Sequence, residues 1–186
     1  MLARTCCFAL QGVEGIPVAV EAFVSGGQYM FNIVGLPDAA VRESRDRVYA
    51  ALKNNGFNTP TGHVTVNLSP ADVRKEGAAF DLPIAAAILI ATRQIKQVDA
   101  SRILMLGELA LDGSLVPVRG ALSLVISAHE HGITEVILPA QNAPEVQAVQ
   151  GMMVYPAHTL YEAVRHLTGD APLLAQVQKT YDECLL

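Results

Sequence analysis

A charged turn that leads into an almost wholly apolar helix is the feature that most constrains this chain. The stretch Asn67–Ala91 begins with the end of a strand, continues through Lys75-Glu76-Gly77 and enters the apolar run Leu82–Thr92. Backbone N–H groups without intrahelical partners converge at the start of a helix, where nucleophiles and anion sites are common. The turn is therefore a candidate active site, and the helix is predicted to lie in the core.

The composition describes an apolar chain that can fill a core. Of its 186 residues, 51% are hydrophobic and 17% are charged, which suits one domain or one domain with a tail. The formal net charge of −5 disfavours a stand-alone nucleic-acid binder, a class that is usually basic. The longest apolar run, Leu82–Thr92, is too short to span a bilayer, so we expect no membrane contact.

The cysteines indicate a reducing compartment. Their number is odd, and the spacing of Cys6, Cys7 and Cys184 fits no zinc site. We therefore expect free thiols and a cytoplasmic protein.

Strand and helix periodicities predict an α/β or α+β domain with a mixed sheet, β-α-β units and helices packed on the sheet. The first three strands are expected to form an antiparallel meander through a Gly26-Gly27 hairpin. The predicted strands are Arg4–Leu10, Pro17–Ser25, Tyr29–Val34, His63–Leu68, Ile103–Leu111, Ser114–Val118, Glu135–Leu138 and Met152–Tyr155. The predicted helices are Asp38–Asn55, Phe80–Thr92, Ala121–His131, one capped by Asn142, and Thr159–Leu167.

Several common motifs are missing or misplaced. The dipeptide Gly-Lys of a phosphate loop never occurs, and no Gly-x-Ser-x-Gly elbow is present. His129-Glu130-His131 resembles a metal motif, but residues two apart do not share a helix face. A solvated helix end is the better interpretation of these histidines, and we expect no metal or cofactor in this chain.

The turn and the segment Gly107–Leu122 together resemble the proteolytic domain of Lon proteases. Lys75-Glu76-Gly77-Ala78-Ala79-Phe80-Asp81 matches the Lys-Asp-Gly-Pro-Ser-Ala-Gly motif of that family without a gap, and Arg42-Glu43-Ser44 matches its Lys-Glu-Ser. The resemblance covers roughly Gly35–Leu167 and implies the Lon-domain fold. It places the nucleophilic serine at Ala79 and the catalytic lysine at Leu122, so the Ser–Lys dyad is lost. A Ser-Lys-type peptidase is accordingly the disfavoured alternative.

A closer resemblance, over essentially the whole chain to Gly169, is to the N-terminal domain of magnesium-chelatase-like AAA+ proteins of the ComM/YifB type. It rests on ungapped blocks: Val34–Val48, Val66–Asp72, Lys75–Gly77, Phe80–Ala85 and Leu106–Gly113. It implies a non-catalytic domain, residues 1–169, followed by a tail or linker, residues 170–186, toward an AAA+ module. That module would hold ATP and Mg²⁺, form a homo-hexameric ring and act on DNA in recombination during natural transformation.

DNA contact by the domain itself is a separate hypothesis. The candidates for nucleic-acid contact are Arg42, Arg45, Arg47, Arg74 and Lys75. They could bind phosphates. Acidic residues are interleaved with them, and such alternation is typical of a salt-bridged, solvated surface. We therefore favour an interaction module over both the DNA-binding patch and the peptidase.

Overall fold

The computed structural model describes residues 1–186, and its elements largely follow the predicted order. The strands are β1 (Leu2–Gln11), β2 (Glu14–Ser25), β3 (Met30–Val34), β4 (His63–Ser69), β5 (Ala100–Met105), β6 (Glu108–Leu109), β7 (Leu115–Val116), β8 (Glu135–Pro139) and β9 (Met153–Ala157). The α-helices are α1 (Ala39–Arg42), α2 (Ser44–Asn54), α3 (Asp81–Ala91), α4 (Ala121–Glu130), α5 (Leu160–Thr168) and α6 (Tyr181–Cys184), and Ala140–Val146 forms a 3-10 helix.

Seven strands form one mixed sheet in the order β3-β4-β2-β1-β5-β8-β9, while β6 and β7 pair as a separate short hairpin. The β1–β2 and β2–β4 pairs are antiparallel. The β3–β4, β1–β5, β5–β8 and β8–β9 pairs are parallel. The predicted mixed α/β sheet with β-α-β units is therefore confirmed.

The predicted antiparallel meander is wrong at its third strand. β2 pairs with β4 rather than with β3, and β3 lies outside β4 at the sheet edge. The burial of β4 explains the order: Val64, Val66 and Leu68 are all fully buried, whereas β3 contains no fully buried residue. A strand with a continuous apolar row suits the sheet interior, and Gly26-Gly27 therefore redirects the chain instead of closing a hairpin.

Helices cover the two sheet faces unequally. α3 is buried along its whole length, and the Pro83 carbonyl oxygen at its start accepts a hydrogen bond of 2.9 Å from Thr5 Oγ1 of β1. On the opposite face, Ser127 Oγ of α4 accepts from the Gly15 N–H at 2.8 Å. A helix that is apolar on every side needs burial all round, so the core forms around α3.

Other differences are local. The helix predicted over Asp38–Asn55 divides into α1 and α2 at Glu43, and β5 ends before β6 begins. Asn142 does not cap a helix. Its side chain instead accepts from the Val118 N–H and donates to the Val118 carbonyl oxygen, both at 2.9 Å. None of the helices combines the length and the hydropathy that a membrane span requires.

The tip of the β6–β7 hairpin is clamped to the end of α2. Asn54 Nδ2 donates to the Leu111 carbonyl oxygen at 2.7 Å, and Asn55 Nδ2 donates to the carbonyl oxygens of Ala51 and Asp112. Gly113 has φ +91°, and a Cβ there would lie 1.9 Å from Asn55 Nδ2. The clamp therefore requires glycine at position 113, because of the positive φ and because a Cβ atom would collide with the Asn55 side chain.

We predict that Gly113→Ala lowers the free energy of unfolding by about 2 kcal/mol or more, because backbone strain adds to loss of the Asn55 hydrogen bonds. Gly56→Ala is the matched control, since Gly56 has φ +81° but no atom near its Cβ position. We expect about 1 kcal/mol for the control, from strain alone. Urea denaturation measures both, and equal losses would refute the clamp.

Candidate functional site

The Lys75–Asp81 turn forms one wall of a cleft of about 530 Å³. α4 and the segment that precedes it form the opposite wall. The lining residues are Leu10, Asp38, Glu76, Gly77, Ala78, Ala79, Glu108, Pro117, Val118, Arg119 and Leu124. With three carboxylates and one guanidinium group, the cleft is acidic.

Asp38 joins the turn to α1. Its Oδ1 accepts the Val41 N–H at 2.8 Å as the helix cap, and its Oδ2 accepts the Gly77 N–H at 3.1 Å. The backbone makes a second connection, because the Lys75 N–H donates to the Leu36 carbonyl oxygen and the Asp38 N–H donates to the Lys75 carbonyl oxygen. One carboxylate thus caps α1 and also orders the glycine turn.

The start of α3 is fixed from the other side by Gly107. Its N–H donates to the Ala79 carbonyl oxygen at 3.1 Å, and its carbonyl oxygen accepts from the Leu82 N–H at 3.0 Å. These bonds tie the turn to the chain between β5 and β6. The turn between β4 and α3 is therefore held in a fixed position.

The cleft lacks the residue types of a Ser–Lys dyad. Ala79 lies in it with a methyl group, and no serine, threonine, cysteine or lysine is among the lining residues. Leu122, where the resemblance places the lysine, instead lines a separate groove of about 410 Å³ that α6 also lines. Leu124 of the same helix lines the cleft. Neither leucine supplies an amine, so acyl transfer of the Ser–Lys type has no chemical basis here.

A buried ion pair lies directly behind the turn. Asp81 has no exposed surface, and its carboxylate accepts from Arg47 Nε at 2.6 Å and from Arg47 Nη2 at 3.1 Å. Ser44 Oγ donates to it at 2.6 Å and the Leu109 N–H at 3.0 Å. Both carboxylate oxygens are therefore satisfied by donors from α2 and β6.

The protonation behaviour of the pair reflects this burial. Burial raises the pKa of Asp81 above its ordinary value, while the hydrogen bonds from Arg47, Ser44 and Leu109 oppose the shift. The hydrogen bond to Asp81 raises the pKa of Arg47. Arg47 also donates to the Ala40 carbonyl oxygen at 2.6 Å, which connects α1 to the same cluster.

Lys75 is buried instead of exposed. Its side chain has no accessible surface, and its Nζ donates to the Pro70 carbonyl oxygen within the same loop. Burial lowers the pKa of Lys75. The side chain closes the Pro70–Lys75 loop on the inner side of the turn and does not line the cleft.

The structure does not bring the candidate basic residues together as a free cationic surface. Two of the candidates for nucleic-acid contact are not free, because Lys75 is fully buried and Arg47 is half-buried in its ion pair with Asp81. Arg45 pairs with Asp46 at 2.9 Å and Arg74 with Glu76 at 3.0 Å, as the interleaved acids predict. Arg42 alone is exposed and forms no ion pair.

Histidine and cysteine side chains also form no site. No group of three or more His, Cys, Asp or Glu residues is arranged to hold a metal ion. His131 Nδ1 lies 2.8 Å from the Ser127 carbonyl oxygen, which makes it part of the end of α4. Cys6 and Cys7 are buried as free thiols, and Cys184 is exposed.

Sequence reasoning missed the Ser44–Arg47–Asp81 cluster. The signal in the sequence was Asp81, a carboxylate at the start of an otherwise apolar helix. Such a helix is buried, and a buried charge requires a partner. No sequence pattern identified which arginine supplies it.

Comparison with known proteins gives this geometry a context. The sequence model of the family described as "Subunit ChlI of Mg-chelatase" matches residues 20–142. An uncharacterized protein of Mycobacterium tuberculosis is 40% identical over 176 residues, which is 95% of this chain and 35% of that protein. The competence protein ComM of Haemophilus influenzae is 39% identical over 173 residues, which is 92% of this chain and 34% of ComM.

Two further relatives extend the comparison. The uncharacterized protein YifB of Escherichia coli is 41% identical over 143 residues, which is 77% of this chain and 28% of YifB. More distant similarity reaches the Lon protease of Brevibacillus choshinensis, with 22% identity over 171 residues, 86% of this chain and 22% of that protease.

The chain spans about a third of the length of the mycobacterial protein and of ComM. The family model covers more than half of the chain, and two relatives of known name lie near 40% identity. This chain therefore belongs to the magnesium-chelatase-like family that includes ComM and YifB.

Proposed function

We propose that this chain is a non-catalytic N-terminal domain of a ring-forming AAA+ ATPase, in which it serves assembly. The observation that supports the proposal is the cleft, in which Ala79 lies at the turn and no hydroxyl, thiol or amine is among the lining side chains, whose ionisable members are Asp38, Glu76, Glu108 and Arg119. Similarity to a competence protein supports a role of the whole protein in DNA recombination during natural transformation.

The nucleotide chemistry is assigned to a neighbouring module. The 186 residues contain no phosphate loop, so they do not fit ATP and Mg²⁺. The proposal requires the gene to encode such a loop beyond this domain, and a coding sequence without one would contradict it.

An uncovered apolar surface supports the assembly role. Leu2 pairs directly with Phe23 across β1 and β2, and both side chains are exposed. The strand register places Met30 and Val34 of β3 on the same sheet face, also exposed. α4 covers the other end of this face, where Ser127 contacts Gly15. We assign these four residues, the open sheet face, to contact with another part of the ring, because exposed apolar side chains of this kind are common at interaction sites. Polar side chains, among them Thr65 and Asn32, lie between the positions of Phe23 and those of Met30 and Val34.

DNA contact through the arginine cluster is not part of the proposal. Lys75 is buried, Arg47 is half-buried and paired with Asp81, and Arg45 and Arg74 are paired with acids. Arg42 remains, and one exposed cation supplies only a weak, salt-sensitive phosphate contact. Any DNA binding is assigned to the remainder of the protein.

We predict that Phe23→Ser in the full-length gene product weakens ring assembly about tenfold, which corresponds to about 1.4 kcal/mol. Val13→Ser is the matched control, because Val13 is 84% exposed and lies in the β1–β2 turn away from the open sheet face. Sedimentation velocity across a concentration series measures the hexamer fraction. Unchanged assembly in the Phe23 variant, or equal loss in the control, would overturn the assignment of the open sheet face.

The alternative function, a Ser-Lys-type peptidase, makes the opposite prediction in a turnover assay. We expect the domain to leave unfolded casein intact, and we expect Ala79→Ser to remain inactive because no amine lines the cleft. Fluorescent casein release measures both, with the unaltered domain as the background control. Turnover that is abolished by a substitution in the Lys75–Asp81 turn would establish peptidase chemistry, whereas turnover indifferent to the turn identifies a contaminant.

A further inference from the structure

Residues 171–180, here called the strap, do not leave the domain as a free tail. They run along the outer edge of β9 and over the 3-10 helix. The Gln176 N–H donates to the Val154 carbonyl oxygen at 2.7 Å, and the Lys179 N–H donates to the Gln147 carbonyl oxygen at 3.0 Å. The domain division predicted at residue 169 stays a prediction, but the strap is docked.

Side chains of the strap add further bonds to backbone acceptors. Gln176 Nε2 donates to the Ala143 carbonyl oxygen at 2.9 Å, and Gln178 Nε2 donates to the carbonyl oxygen of Val149 at 2.8 Å. Inward and outward positions alternate, so that Leu173 packs on the core while Leu174 is 91% exposed. The strap therefore covers a sheet edge much as an added strand would.

A histidine of α5 holds the first part of the strap. The Leu173 N–H donates to His166 Nδ1 at 2.9 Å, and the His166 ring stacks on Tyr155 with ring centroids 4.1 Å apart. A ring nitrogen can accept a hydrogen bond only without a proton, so the docked strap requires neutral His166 with its proton on Nε2.

Few charged groups face this ring. Glu135 of β8 is the carboxylate that acts on it, and Tyr155 of β9 lies against it with its own pKa raised by burial and by Glu135. On α5 itself, Arg165 lies over the Tyr161 ring at 5.4 Å. The strap contributes no ionisable side chain between Ala171 and Gln178.

We propose that His166 is a proton-sensitive latch that holds the strap against the edge of β9. Protonation at Nδ1 turns the acceptor into a donor that faces the Leu173 N–H donor, which breaks this bond and weakens the docking of the strap while the sheet stays folded. Release exposes the outer edge of β9. It also allows the chain after residue 180 to change its orientation relative to the domain.

The sign of the pH dependence follows from the surroundings. Burial lowers the pKa of His166 in the docked state, and Glu135 opposes the shift. When the pKa of a histidine is lower in the docked state than in the free state, docking is favoured fully at pH values above the free pKa of about 6.5. This stabilisation is lost as the pH falls through the pKa of the docked state. Undocking is therefore expected in mildly acidic solution and not in alkaline solution.

The test measures amide hydrogen exchange of Leu173, Gln176 and Lys179 by NMR in the 186-residue chain, from about pH 7.5 to about pH 5. After correction for intrinsic exchange, we expect protection of these three amides to fall at least about tenfold on acidification, while core strand amides keep theirs. Protection that does not change over this range would overturn the latch.

Two variants separate the latch from general acid effects. His166→Asn keeps an acceptor oxygen near the Nδ1 position without titrating, so its strap is expected to stay protected at low pH. His166→Leu removes the acceptor and is expected to lose protection at every pH. His63→Asn, on the distant strand β4, should behave like the unaltered chain. Acid-induced loss in His166→Asn, or full protection in His166→Leu, would contradict the proposal.

Discussion

The buried pair of Arg47 and Asp81 is the interaction on which the rest of this domain depends. It connects α2 to the first residue of the central helix α3 and, through the Leu109 N–H, to the β6–β7 hairpin. A buried carboxylate without partners would cost several kcal/mol. The pair, with Ser44, therefore fixes where α3 begins, and the position of the turn above it follows.

That constraint explains how the turn keeps its shape. The turn is held by Asp38 from one side and by Gly107 from the other, and neither residue needs a nucleophile in the cleft. The shape of the turn therefore does not depend on the Ala79 side chain. In the family that includes ComM and YifB, we interpret the cleft of this chain as a scaffold, with assembly assigned to the open sheet face.

Local patterns predicted most of the elements, because periodicity, caps and glycines act within a few residues. The apolar helix α3 and the strand β4 are predicted in this way. The position of β3 was not, because its placement outside β4 depends on which strand buries the longer apolar row. Arg47 and Lys75 were placed wrongly for a related reason: their partners, Asp81 and the Pro70 carbonyl oxygen, are found only in the folded chain.

A double-mutant cycle of Arg47→Met and Asp81→Leu tests the central claim most directly, with free energies of unfolding from urea denaturation. Each single variant is expected to cost about 3–5 kcal/mol, because Arg47→Met leaves the buried Asp81 carboxylate without its counter-ion and Asp81→Leu leaves the Leu109 N–H and the Arg47 guanidinium without their acceptor. The double variant should cost less than the sum by about 2 kcal/mol or more. Arg45→Met, in the exposed Arg45–Asp46 pair, should cost less than about 1 kcal/mol. Additive losses, or an Arg47 variant no less stable than the Arg45 variant, would contradict the account.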